Sequence, residues 1–145
     1  MLKIGITGKN GFVGTHLYNT LSLEPENFSC VGFERVFFED ESKLDAFVLS
    51  CDVIVHLAAL NRHNKPEVIY ATNIGLVKTL ISSLERTKSK AHVIISSSSQ
   101  EERDNLYGKS KKEGRELLAS WSLKANSIFT GMIIPNVFGP FGEPY

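Results

Sequence analysis

The chain has 145 residues, enough for one well-formed core and too few for two domains with cores of their own. Its 42% hydrophobic and 22% charged residues are those of an ordinary globular domain, and sixteen basic residues balance sixteen acidic ones. This excludes a whole-molecule field for nucleic acid or anionic lipid, a disulfide framework (two cysteines only), and, with no apolar run near ~20 residues, a membrane span. Cys30 and Cys51 read as reduced core thiols, Met1 leads straight into a strand with no room for a signal peptide, and the expected compartment is the cytoplasm.

Residues 2–7 form an apolar run that breaks into Gly8-Lys9-Asn10-Gly11-Phe12-Val13-Gly14, with a helix expected over 12–23. A strand feeding a helix through such a turn is a phosphate-binding device. Gly8 and Gly11 let the backbone turn tightly against a pyrophosphate, and Gly14 lets the helix pack closely on the strand. The N–H groups of the first helical turn, with the helix dipole, then face the anion. Strands are expected over 29–33 and 36–38, followed by a helix over 42–50 with Leu44, Phe47 and Val48 at helical spacing. The run 52–57 reads as a buried strand leading into Ala58-Ala59, and a long helix follows over 66–86, with proline tolerated at its start. A strand over 91–96, a helix over 107–125 and a strand over 127–134 complete the pattern.

Alternating strands and helices, with near-continuous apolar strands, predict a doubly wound α/β domain. We expect six parallel strands in the order 3-2-1-4-5-6. Residues 135–142, Pro-Asn-Val-Phe-Gly-Pro-Phe-Gly, are a loop rich in turn formers that reads as the exit from the last strand toward further chain, although the sequence stops at Tyr145.

Tyr107 and Lys111 are four apart at the start of a predicted helix, so they share a face. A nearby ammonium lowers a phenol from its ordinary ~10, which makes the tyrosine a usable acid or base. A surface Tyr/Lys pair has the same spacing. The serine run 96–99 follows a buried strand at the carboxyl edge, where α/β sheets bind ligands, and a hydroxyl there can bond a substrate oxygen. Asn73, inside a helix it does not favour, reads either as an exposed filler or as the holder of a water near the lysine. His56 reads as a strand-end residue that packs, and His16, His63 and His92 form no metal-ligand pattern.

Six motifs in order, Gly8-x-x-Gly11-x-x-Gly14, Asp52 with His56-Leu57-Ala58-Ala59, Asn73-Ile74-Gly75, Ser96-Ser97-Ser98, Tyr107-x-x-x-Lys111 and Pro135-Asn136-Val137-Phe138-Gly139-Pro140, resemble the extended short-chain dehydrogenase/reductase family. That family contains nucleotide-sugar epimerases, dehydratases and reductases. His56 to Arg62, the short Ser98–Tyr107 spacing and Asn105 to Lys111 resemble most the bifunctional capsular-polysaccharide reductases that act on UDP-linked 4-keto-6-deoxy-hexosamines.

The resemblance implies that residues 1–145 are an NAD(P)-binding Rossmann domain, the N-terminal part of a longer enzyme. It implies Tyr107 as proton donor to a substrate carbonyl, Lys111 as its tuner and ribose ligand, and Ser98 as the residue orienting the carbonyl, with Ser97 the competing register. The dinucleotide would lie on Gly8, Asn10, Gly11, Phe12, Val13, Gly14, Arg35, Leu57, Ala58, Ala59, Asn73 and Lys111. After the second strand, Glu34 would favour a ribose 2′-OH and NAD(H), whereas Arg35 would pair with a 2′-phosphate; both also read as solvated turn residues. The reading leans to NADP(H) on Arg35, with NAD(H) the alternative. Met132, Ile133 and Ile134 stand where many relatives place an arginine.

The expected activity is NADP(H)-dependent reduction of a UDP-4-keto-6-deoxy sugar for surface polysaccharide. The alternatives are an NAD-dependent epimerase or dehydratase, or a dinucleotide-binding module without turnover. A nucleotide sugar is the expected partner, with no nucleic acid, membrane or metal, and with homodimer formation left open.

Overall fold

The computed structural model describes residues 1–140 and Gly142. Five parallel strands form one sheet: β1 (Leu2–Thr7), β2 (Phe28–Val31), β3 (Val53–His56), β4 (His92–Ser98) and β5 (Phe129–Ile134), in the spatial order β2-β1-β3-β4-β5. Four helices connect them: α1 (Phe12–Leu21), α2 (Glu41–Leu49), α3 (Pro66–Thr87) and α4 (Leu106–Ala125). Because the order reverses at β1, the carboxyl ends of β1 and β3 flank a topological switch point, where such sheets hold ligands.

Strand alternation divides the core in two. Ile4, Ile6 and Val55 face α1, where Leu17, Tyr18 and Leu21 cover them. On the other face Ile54, Val93 and Ile95 pack under α2, α3 and α4 through Leu44, Phe47, Val77, Leu80, Leu118 and Trp121. Gly5 belongs to this face, and a Cβ there would meet the Phe47 ring at 2.4 Å. Helix ends follow local chemistry: the Asp40 carboxylate accepts from Lys43 N–H at 3.1 Å, and Lys88 and Asn126 close α3 and α4 in the left-handed conformation (φ 52° and 51°).

One expected element is different. Residues 36–38 are no strand but part of a 3-10 turn, Arg35–Glu39, so among the described residues the sheet has five strands, not six, and lacks the expected outermost one. The cause is aromatic packing. Phe33 meets Phe37, Phe38 and Phe47 with ring centroids 5.4, 5.2 and 4.8 Å apart, and a tight turn puts those rings on the core where an extended edge strand would splay them. The rest of the expected order holds. The exit loop folds back on α1: His16 Nε2 donates to Pro140 O at 2.7 Å, and Gly139 lies against the Phe12 ring. Phe141 of that loop and Tyr145 lie outside the described residues. Among the described residues, no helix is long and apolar enough to cross a membrane.

Candidate active site

The glycine turn is shaped by close approach. Gly8 has φ +77°, and a Cβ on it would sit 2.7 Å from Ala58 N, so the turn lies directly on the Leu57–Ala58 backbone that leaves β3. A Cβ on Gly14 would come within 2.2 Å of Gly8 O. Gly11 caps α1 with no side-chain hydrogen bond, which leaves N–H groups of the first turn directed at the space above the sheet. Asn10 and Val13 are exposed there and Phe12 is half-buried. A tight glycine turn that leads into uncapped N–H groups of a helix is the arrangement an anion site requires.

Beneath it, Ala58 N–H donates to Thr7 Oγ1 at 3.2 Å, and the Thr7 hydroxyl meets His56 Nδ1 at 2.8 Å. The imidazole is neutral: full burial, with Lys111 adding to the effect, pushes His56 down to about 3. His56 packs, as its sequence setting suggests. Asn73 is not an exposed filler. It is 4% exposed; its Oδ1 accepts from Leu60 N–H at 2.7 Å, and its Nδ2 donates to Leu60 O and Ser110 Oγ, both at 3.1 Å. Both amide donors are used. Asn73 stands behind the site and ties the Leu57–Leu60 backbone to α4.

On α4, Asn105 caps the helix by accepting Gly108 N–H at 2.7 Å, which starts the helix one residue before Tyr107. The 3-10 turn Ser99–Glu102 folds back against this first turn so tightly that a Cβ on Gly108 would lie 2.0 Å from Gln100 O. That contact carries Ser98 to Tyr107. Ser98 Oγ accepts Gln100 N–H at 3.1 Å and lies near enough to the Tyr107 oxygen to pull the phenol down against its burial. Ser97, one residue earlier on the strand, points to the opposite face and donates to Glu101. Ser98, not Ser97, meets the phenol.

The electrostatics depart from the sequence expectation. Burial pushes the Tyr107 phenol above its ordinary value, and the opposing pull comes from Ser98 rather than Lys111. Lys111 is itself 8% exposed, and burial lowers its amine to about 8, with Glu101 counteracting.

Arg35 and Glu34 are both exposed where the 3-10 turn begins, and β2 ends earlier than expected, at Val31. Sequence reasoning passed over Lys9. Its ammonium lies over the Tyr18 ring, 4.5 Å from the centroid, and near enough to β2 to influence the Cys30 thiol. It also passed over Glu101 and its pairing with Arg115, through Nε–Oε1 and Nη2–Oε2 bonds of 2.9 Å each. A basic residue inside the glycine turn was a readable signal for Lys9. No local pattern marks Glu101 and Arg115, fourteen residues apart. Among the described residues, no three His, Cys, Asp or Glu side chains gather as a metal site.

The model of the NAD dependent epimerase/dehydratase family matches residues 4–145. A UDP-2-acetamido-2,6-beta-L-arabino-hexul-4-ose reductase of Pseudomonas aeruginosa is 34% identical over 146 residues, covering 99% of this chain and 38% of its own. Among solved structures, the capsular polysaccharide assembling protein CapF of Staphylococcus aureus matches with a TM-score of 0.75 and 31% identity, over 99% of this chain and 37% of that one. RMD of Pseudomonas aeruginosa, solved with NADPH, matches in fold with a TM-score of 0.86 at 19% identity, over 99% of this chain and 56% of that one. The chain thus spans well under two thirds of each of these proteins.

Proposed function

We propose that this chain, which belongs to the NAD dependent epimerase/dehydratase family, is the cofactor-binding and proton-donating domain of an NADP(H)-dependent reductase of a UDP-linked 4-keto-6-deoxy sugar. The observation that carries the reading is the placement of Ser98 near the Tyr107 oxygen, with the buried Lys111 one helical turn further along α4. This group shares the carboxyl edge of the sheet with the glycine turn, which packs so closely on itself and on the Leu57–Ala58 backbone that Gly8 and Gly14 admit no Cβ. The 34% identical reductase is named for a UDP-linked hexulose with a 4-keto group, which supports the substrate class, and the likeness to CapF supports a role in capsular polysaccharide.

Reduction of a carbonyl needs a proton at its oxygen. Tyr107 suits that task because burial keeps its phenol protonated at neutral pH. Ser98 stabilises the phenolate left behind by donating to its oxygen, and the Lys111 ammonium adds positive charge to the same pocket. Gly8, Gly11, Gly14 and the start of α1 would hold the pyrophosphate, with Leu57, Ala58 and Ala59 forming the floor and Asn73 bracing it. Arg35 and Lys9 would face a 2′-phosphate from two sides. When bound, the nicotinamide supplies the hydride.

In the full protein, NADPH should be consumed stoichiometrically with a UDP-4-keto-6-deoxy sugar. Tyr107→Phe should lower turnover about 100-fold or more while NADPH affinity changes little. Retained turnover removes Tyr107 from its role, and interconversion of sugar epimers without net NADPH loss replaces the reductase with an epimerase. Arg35→Ala should erase a preference for NADPH over NADH; if only Lys9→Ala does so, the 2′-phosphate belongs to the glycine turn.

A further inference from the structure

The Glu101 carboxylate has no part in the proton donation just described, yet its placement is unusual. It sits in the short segment between Ser98 and Tyr107, with its side chain only 4% exposed. Isolating a carboxylate from water is costly, and the structure compensates it on all sides. Arg115 grips it with the two-pronged bond, and Ser97 donates to it as well. Arg115 follows Lys111 by four residues and so lies on the same face of α4. Its stem is packed over Gly131 of β5, where a Cβ would lie 2.7 Å from Cδ. The carboxylate is therefore held to α4, β4 and β5 together, and the guanidinium cannot swing away without vacating a filled space.

We propose that Glu101, clamped by Arg115, is a positioning residue for the Ser98–Tyr107–Lys111 group: it pins the segment that delivers Ser98 to the phenol and supplies the anion that keeps the Lys111 amine a cation. Arg115, one helical turn from Lys111 on the same face, carries the Glu101 carboxylate to this end of α4. His56 from β3 is neutral, Tyr107 on its own helix is protonated, and Lys112 and Arg115 on that helix are positive. Glu101 is the group that raises Lys111 against the effect of its burial, while Arg115 and Ser97 hold the Glu101 carboxyl below the usual carboxylate range. A tyrosine donor beside a neutral amine would lose the positive charge that stabilises its phenolate, so the pair acts on proton transfer without touching substrate.

The inference rests on the proposed roles of Ser98, Tyr107 and Lys111, but its test reads Lys111 directly and needs no turnover. Acylation of Lys111 by a small anhydride in the full protein is followed by mass spectrometry from pH 6 to 10. In Glu101→Gln the Lys111 amine loses the anion that raises it, so its labelling at pH 7 should rise about five-fold. An unchanged titration overturns the proposal. So does a fall in labelling, because a lysine released into water titrates near ~10.4 and shows that Glu101 serves structure alone. Arg115→Met removes the cation and leaves the anion, so labelling at pH 7 should drop at least two-fold. If Glu101→Gln shows no cooperative melting, this variant decides, and unchanged or increased labelling rejects the role. Loss of reductase activity with the labelling as expected would instead strike the functional reading.

Discussion

Lys111 sits where a positive charge is costly. Burial lowers its amine from 10.5 to about 8, so at pH 7 the folded state holds a cation it disfavours relative to the unfolded chain. Lys111→Met has nearly the same length, no charge, and an apolar end suited to its 8% exposure. The substitution should stabilise the fold by about 1–2 kcal/mol, measured by urea unfolding at pH 7, while proton transfer is lost. A destabilised Lys111→Met protein would mean that the ammonium is held by better partners than Glu101. The choice between Ser97 and Ser98 belongs to this same scale. Both hydroxyls were legible as candidates; which one meets Tyr107 follows from strand pleat and from where Glu101 stands, and neither is a local property of a serine run.

At the scale of elements, two glycines of similar helical setting should respond with opposite sign. Gly108 lies in the first turn of α4 with Gln100 O where a Cβ would go, at 2.0 Å, and that neighbour is backbone. Gly108→Ala should destabilise by about 1–3 kcal/mol and push the Ser99–Glu102 turn off α4, separating Ser98 from Tyr107. Gly75, inside α3 and exposed, has nothing within 4 Å, so Gly75→Ala should stabilise by about 0.5–1 kcal/mol. Urea midpoints of the two variants read both directly, and a stabilising Gly108→Ala would show that the turn can move aside at little cost. Elements with a long period or a glycine signature were legible from sequence to within a residue or two, as with α3, α4 and the turn from Gly8 to Gly14. Residues 36–38 were not, because three apolar residues suit an edge strand as well as a tight turn, and the Phe33–Phe47 stack that decides is a tertiary contact. The Ser99–Glu102 turn was hidden for a similar reason: what seats it is the absence of a side chain at Gly108, on another element.

For the whole molecule, the buried titratable groups set how stability follows pH. His56 holds β1 to β3 through Thr7 as a neutral ring, with a folded value of about 3 against an ordinary 6.5. Below pH 6.5 the unfolded chain binds a proton that the folded one refuses, so stability rises with pH across that window and is lost as pH falls. Each unit costs about 1.4 kcal/mol, or about 2 kcal/mol between pH 6.5 and 5. Asp45, held low by Arg86 and Ser83, and Glu101, held low by Arg115, weaken the fold only further down, as those carboxylates protonate. On the alkaline side Lys111 adds stability above about 8, while the Cys51 thiol, which burial raises to about 12, removes it above its ordinary 9. Urea unfolding at pH 5, 6.5 and 8 should therefore show a loss of about 2 kcal/mol between the upper two and the lowest. In His56→Asn the absolute stability should be lower, because a packed ring under Phe38 is gone, but the slope from pH 6.5 to 5 should largely vanish. A slope that persists in that variant would remove His56 as the source of the acid sensitivity.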